Sequence, residues 1–279
     1  MSFAHDPRVT LARPDLADRR LEGLVAAERY QDSTPMTCAV PVAALRAAPS
    51  PDAEQWDQLL AGELFRVLEV KDGFAWGQAA RDGYVGFVEA ASLARAGDPP
   101  THAVSAIRTY AFSRPDIKAR PEGLYSLNAL VTVEAREGRF AKGVGTGWFV
   151  EDHLSPIGRG EADHVAVAER FLGAPYQWGG RESLGLDCSG LLQQALYACV
   201  RACPRDTDMQ RDFFPEIAEV ERRRGDLVFW KGHVAILLDR DTILHANAHH
   251  MAVVVEPLSE AISRIEAAGV GGPLGYRRV

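Results

Sequence analysis

The chain opens with 32 largely polar residues. Within them LADRRLEGLVAAERY spaces its apolar positions as a helix would, and the stretch 1–32 reads as an N-terminal arm packed on the rest of the chain. From Thr34 the texture changes to short β-type runs, MTCAVPVAAL, ELFRVLEV, FAWGQAA and GYVGFVEA, broken by turns containing Pro and Gly. A second cycle of the same kind starts near Pro99 and Pro100, with THAVSAIRTYAFS, LNALVTVEAREGRF and GTGWFVEDHL. Both cycles end alike: Gly86-Phe87 precedes Leu93 and Gly147-Trp148 precedes Leu154, the same Gly-to-Leu interval. Two small all-β domains are expected, over 33–96 and 97–157. Beyond Pro156 the pattern becomes a helix (EADHVAVAERFLG), a Gly-rich loop, a second helix and then strands, which predicts an α+β domain over 158–279.

Composition fits this picture. At 279 residues the chain has room for two or three domains, and 47% hydrophobic with 25% charged residues is ordinary for a folded protein. The formal net charge of −7 and the absence of a basic arm speak against nucleic acid as a partner. No window resembles a membrane span, and the charged start MSFAHDPRVTLARPDLADRR lacks the apolar segment of a signal peptide, so a cytoplasmic location is expected. Four cysteines, Cys38, Cys188, Cys199 and Cys203, fit a reducing compartment better than a disulfide framework. Cys199 and Cys203 lie four apart in LLQQALYACVRAC; if that run is helical they share a face and could take part in a metal site, though no second pair accompanies them.

The densest chemical signal runs from Pro175 to Gly190, PYQWGGRESLGLDCSG, and leads directly into an apolar helix. Cys188 then sits at the helix start, where free N–H groups and the positive end of the helix dipole would stabilise a thiolate. A lone Cys in such a place is most often a small buried apolar residue. Two histidines change that balance. Gly225–Trp230 and His233–Leu238 read as strands, Asp239-Arg-Asp241 as a turn and Thr242–Ala246 as the return strand. His233 lies six residues before Asp239 and His245 six after it, so a hairpin centred on Asp239 would set the imidazoles opposite each other. A base and its orienting partner need that proximity, and Cys188, His233 and His245 form a candidate triad. His249 and His250 could instead join His245 around a metal.

These motifs, Tyr176-Gln-Trp-Gly-Gly180, Asp187-Cys-Ser-Gly190, Gly225-Asp-Leu-Val-Phe229, His233-Val-Ala-Ile236 and Ile243-Leu-His-Ala246, resemble in order those of the NlpC-type cell-wall peptidases. The strand runs ending on Gly-aromatic resemble bacterial SH3-like domains. The fold implied is two small all-β SH3-like barrels followed by an α+β papain-like cysteine peptidase domain, with no cofactor. The resemblance implies Cys188 as nucleophile, His233 as base and acid, His245 as its orienter, and the Tyr176 phenol with the Cys188 N–H near the oxyanion. Packing against Trp178 is the simpler role for Tyr176. The link Trp230-Lys-Gly-His233 is shorter than in many members.

A subgroup with two SH3-like domains resembles the cytoplasmic γ-D-glutamyl-L-diamino acid endopeptidases of wall-peptide recycling. That likeness implies a peptidoglycan-derived peptide with a free N-terminal L-Ala as substrate. Its amine would be held by Asp187, Ser189, Tyr84 and Glu54, the first β domain closing one end of the groove. Asp52 and Asp57 stand close to Glu54 in sequence. Another thiol amidase or acyltransferase of the same fold, or an inactive wall-binding module, is the alternative.

Overall fold

A computed structural model describes residues 5–279 and divides them into two compact units, one up to Ile157 and one from Gly158 to Val279.

In the N-terminal unit, residues 34–95 form a seven-stranded antiparallel sheet. Its strands run, in spatial order, Gln55–Leu60, Val42–Arg46, Val85–Glu89, Phe74–Ala79, Leu64–Lys71, Thr34–Cys38 and Leu93–Arg95. Alternation along Val42–Arg46 sends Ala43 and Leu45 inward to join Leu59, Phe65, Val67, Ala75 and Val88 in one core. A second β body follows, with a three-stranded sheet (Leu130–Val131, His102–Val104, Leu154–Pro156) and a five-stranded one. Its core gathers Val104, Ala111, Tyr125, Val131, Ala141 and Phe149, and Leu60 and Ala61 of the first body reach into it.

The repeated ending has a structural counterpart. Val85–Glu89, a 3-10 turn at Ala90–Ser92 and strand Leu93–Arg95 are matched by Gly147–Val150, a 3-10 turn at Glu151–His153 and strand Leu154–Pro156.

The helix expected within residues 1–32 is not there. Asp18 caps only a 3-10 turn, Arg19–Leu21, after which Gly23 turns left-handed at φ 82° and Leu24 lies exposed. Of the apolar residues in that run Leu16 and Ala17 are buried while Leu24 is not, so no single helix face is covered and periodicity alone does not hold a helix. The arm does pack: Leu11 and Leu16 are buried against Leu68, Trp76 and Val85, and the Arg13 guanidinium lies 4.2 Å over Trp76 while bonding Glu69 at 2.7 Å.

The C-terminal unit has four helices, α1 (His164–Glu169), α2 (Cys188–Ala198), α3 (Thr207–Phe213) and α4 (Leu258–Ala267). Asp163 caps α1 by accepting from the Val165 N–H at 2.9 Å, and beyond the helix end Phe171 is buried and Leu172 exposed. A six-stranded sheet runs Glu216–Ile217, Gly275–Arg277, Leu227–Trp230, His233–Leu237, Thr242–Asn247 and Ala252–Pro257. Helix α2 packs against the His233 and Thr242 strands and is buried all round, including Gln193 and Gln194, as befits a helix central to its unit.

Candidate active site

Asp187 starts α2. In extended conformation it accepts the Gly190 N–H at 2.7 Å, so Cys188 becomes the first helical residue. A Cβ on Gly190 would overlap the Gly180 carbonyl, and one on Gly180 the Gly185 carbonyl, which pins the Gly-rich loop to the helix start. The Asp187 carboxylate also accepts from the Gly179 N–H at 2.9 Å, the Ser189 hydroxyl at 3.0 Å and both ends of the buried Arg205 guanidinium at 3.0 and 2.6 Å. Arg205 gives a further bond to Ser189 Oγ at 2.6 Å. Five donors occupy this carboxylate and its charge is matched within the unit.

The Cys188 sulfur lies where α2 meets the His233 strand, with the Val234 and Ser189 N–H groups acting to lower its pKa. Burial and the nearby Asp187 charge outweigh them and push the thiol up to about 12. The thiolate expected from the helix start is therefore not the resting form; the protonated thiol is.

His233 and His245 do meet, Nε2 to Nδ1 at 2.8 Å, but not as directly opposed residues. The strands pair Ile236 with Leu244 and Leu237 with Ile243, a register centred on Arg240 rather than Asp239. Moving the centre by one shifts each partner by two, and two is the side-chain period of a strand, so both imidazoles stay on one face and touch diagonally. Burial, with His245 and Arg264 nearby, drives His233 down to about 3, leaving it neutral at pH 7.

Behind His245 stands a residue that sequence reasoning missed. Glu256 Oε1 lies 2.6 Å from His245 Nε2, and Arg264 of α4 grips both oxygens of Glu256, at 2.6 and 2.5 Å. Burial works against the Glu256 charge, but hydrogen bonds from His245 and Arg264 hold its carboxyl well below the usual range. Asn247 Nδ2 is 3.0 Å from the same His245 nitrogen; the ionised carboxylate is closer and fixes the proton on Nε2. His245 Nδ1 then accepts from His233 Nε2–H, and the lone pair of His233 is on Nδ1. Both nitrogens of His245 are thus in use, which removes it from any metal site with His249 and His250; His250 bonds Asn247 instead. An acidic residue amid the apolar strand Ala252–Pro257, with Arg eight residues on, was the available signal.

The Tyr176 phenol is pushed above its ordinary value by burial and by the neighbouring Cys188 and Asp187, so it remains a proton donor. Trp178 is largely exposed. In the N-terminal unit Tyr84 is buried in the first β core with its ring edge-on to Trp56 at 6.4 Å, Glu54 is exposed just before its strand, and Asp57 is buried. Cys199 and Cys203 do not share a helix face, because α2 ends at Ala198 and Val200 turns left-handed at φ 57°.

Residues 173–270 match the model of the NlpC/P60 family, and residues 45–93 match that of the bacterial dipeptidyl-peptidase Sh3 domain. Dipeptidyl-peptidase 6 of Lysinibacillus sphaericus is 36% identical over 97 residues, covering 34% of this chain and 36% of that protein. The gamma-D-glutamyl-L-lysine dipeptidyl-peptidase of Bacillus subtilis is 29% identical over 116 residues, 39% of each chain. The chain thus spans well under half the length of these curated relatives. In fold it is similar to a crystal structure of a NlpC/P60 family protein from Bacillus cereus, with a TM-score of 0.75 over 88% of this chain and 99% of that one at 18% identity. The chain carries a bacterial Sh3 domain and, after it, a domain of the NlpC/P60 family.

Proposed function

We propose that the C-terminal unit is a cysteine peptidase acting on peptidoglycan-derived peptides, and that it cleaves the γ-D-glutamyl–diamino acid bond of peptides with a free N-terminal L-Ala. The observation that carries the chemistry is the chain of contacts from His233 through His245 to Glu256, beside a cysteine at the first position of α2. In the resting site both thiol and imidazole are neutral. The sulfur attacks the γ-glutamyl carbonyl as its proton passes to His233 Nδ1, and the imidazolium formed is held by His245. Tyr176 and the Cys188 N–H donate to the oxyanion, a task that needs a phenol protonated throughout. His233 next protonates the departing amine, and water delivered by the same base hydrolyses the thioester.

The bond specificity is supported by the name of the Bacillus subtilis relative and by the motifs around Cys188. Asp187 serves here first as helix cap and partner of Arg205, with Ser189 tied to the same pair. Residues 97–157 are read as a second SH3-like barrel, on the recurrence of the strand, 3-10 turn and strand that ends each β body. We place this activity in a reducing compartment such as the cytoplasm, since the four cysteines do not make a disulfide framework.

Mass spectrometry of the full chain with L-Ala-γ-D-Glu-diaminopimelate, its N-acetylated form, intact wall and lipid esters tests this. Release of the diamino acid from the free tripeptide only, and none by Cys188→Ala, is the expected result. Cleavage by Cys188→Ala equal to wild type sinks the assignment, and turnover of lipid esters alone favours an acyltransferase.

A further inference from the structure

Glu256 has no part in a Cys–His–His arrangement, yet it is nearly as buried as the histidine it touches, and a helix supplies an arginine to hold it. We propose that Glu256, clamped by Arg264, is a positioning residue that fixes the tautomer of His245 and thereby keeps Nδ1 of His233 free to take the Cys188 proton. The inference rests on the peptidase reading above.

The geometry leaves few other arrangements. An imidazole has two nitrogens, and in the neutral ring one donates and one accepts. At His245, Nε2 faces a carboxylate that can only accept, so Nε2 carries the proton and Nδ1 must accept from His233. Were Glu256 absent, His245 could donate to His233 Nε2, and the His233 proton would sit on Nδ1, where no base would remain. Arg264 gives the second half of the device. A bare carboxylate would draw a proton onto His245 and from there favour the imidazolium of His233. Arg264 cancels that charge, and its own charge presses both imidazoles down. The charged and titratable groups facing the pair are Glu256 and Arg264, His250 on the side of His245, and the Cys188 thiol where α2 meets the His233 strand, with the Trp230 ring 5.7 Å from that of His233.

A merely structural role, tying the strand Ala252–Pro257 to α4, makes different predictions. In the full chain, Glu256→Gln keeps an acceptor oxygen, Glu256→Leu removes it, and Arg264→Gln removes the clamp while leaving the carboxylate. Hydrolysis of L-Ala-γ-D-Glu-diaminopimelate and alkylation of Cys188 by iodoacetamide are followed against pH, with thermal melts as a check on folding. Glu256→Leu is expected to lose at least about tenfold in kcat with KM little changed, and Glu256→Gln to retain most of it. Arg264→Gln, at a partly exposed site, is expected to move the acidic limb of kcat/KM up by about one pH unit and to speed alkylation below pH 7 by about tenfold. Equal losses in Glu256→Gln and Glu256→Leu, or Arg264→Gln profiles coinciding with wild type, overturn the inference. A wild-type protein that leaves the tripeptide uncut defeats the peptidase reading instead, and the alkylation profiles of Arg264→Gln then decide the role of Glu256 alone.

Discussion

At Cys188 two effects of position oppose each other. The helix start turns N–H groups toward the sulfur, and burial takes water away from it; burial wins, so the thiol stands at about 12 beside a His233 held at about 3. On the peptidase reading charge then arises only as the carbonyl is attacked, and the donors proposed for the oxyanion lower much of the barrier. Tyr176→Phe removes one such donor and is expected to lower kcat by about 10²-fold with KM nearly constant, read by steady-state hydrolysis of the tripeptide. An equal rise in KM with kcat unchanged would make Tyr176 a binding group. His233 and His245 could be found from sequence because a strand period of two is robust to a misplaced turn. Arg205 could not, since it meets its partner through the tertiary path, 18 residues from Asp187 with all of α2 between them, and Glu256 leaves only the mark of one acid in the apolar strand that pairs with that of His245.

Elements were legible where their ends carried signals. Asp187 before Cys188 announces the start of α2, but nothing local announces its end, and the run LLQQALYACVRAC continues to read as helix past Ala198. The structure closes it with the Arg201 N–H on the Leu196 carbonyl and Val200 left-handed, a conformation that a β-branched residue tolerates poorly. The misfit costs about 1–2 kcal/mol, of which the greater freedom of an unfolded glycine would return about half. Val200→Gly should therefore raise stability by about 1 kcal/mol, seen as a Tm about 2–4 °C higher, with activity unchanged. A lower Tm would mean that the Val200 side chain, which packs beside Gly160, gives more than its backbone costs.

For the molecule as a whole, the change from two β bodies to an α+β unit was visible in the texture of the sequence, while the arm was misread because its apolar residues bury against Trp76 and Val85 without forming a helix. The two units also differ in how acid reaches them. In the C-terminal unit His233 and His245 have folded pKa values below the ordinary histidine value, so below pH 6.5 the unfolded chain binds protons that the folded one refuses. Stability falls there as pH drops toward about 3, by at most about 1.4 kcal/mol per pH unit for each imidazole. In the N-terminal unit burial lowers His102 as well, but this histidine is only partly buried; burial works against Asp18, while hydrogen bonds from Arg20 and Ser33 bring it to about 2, so the stability it contributes is lost only between about pH 4 and 2. Hydrogen exchange corrected for intrinsic rates should show the amides of 158–279 opening first on acidification from pH 7 to 4. Simultaneous opening of both units would contradict this ordering.

The recurring strand, 3-10 turn and strand bears on how the chain avoids misfolding. Each closing strand is also the outer edge of its sheet, where unpaired backbone groups invite another strand. Leu93-Ala-Arg95 closes against Met36–Cys38, and Leu154-Ser-Pro156 against His102–Val104. Ala96 and Ile157 give the ladder bonds to the Pro35 and Thr101 carbonyls, so Arg95 and Pro156 stand at positions whose backbone nitrogen faces away from the inner strand. A charge on one open edge and a proline, with no N–H to offer, on the other thus guard both edges against pairing with a further strand.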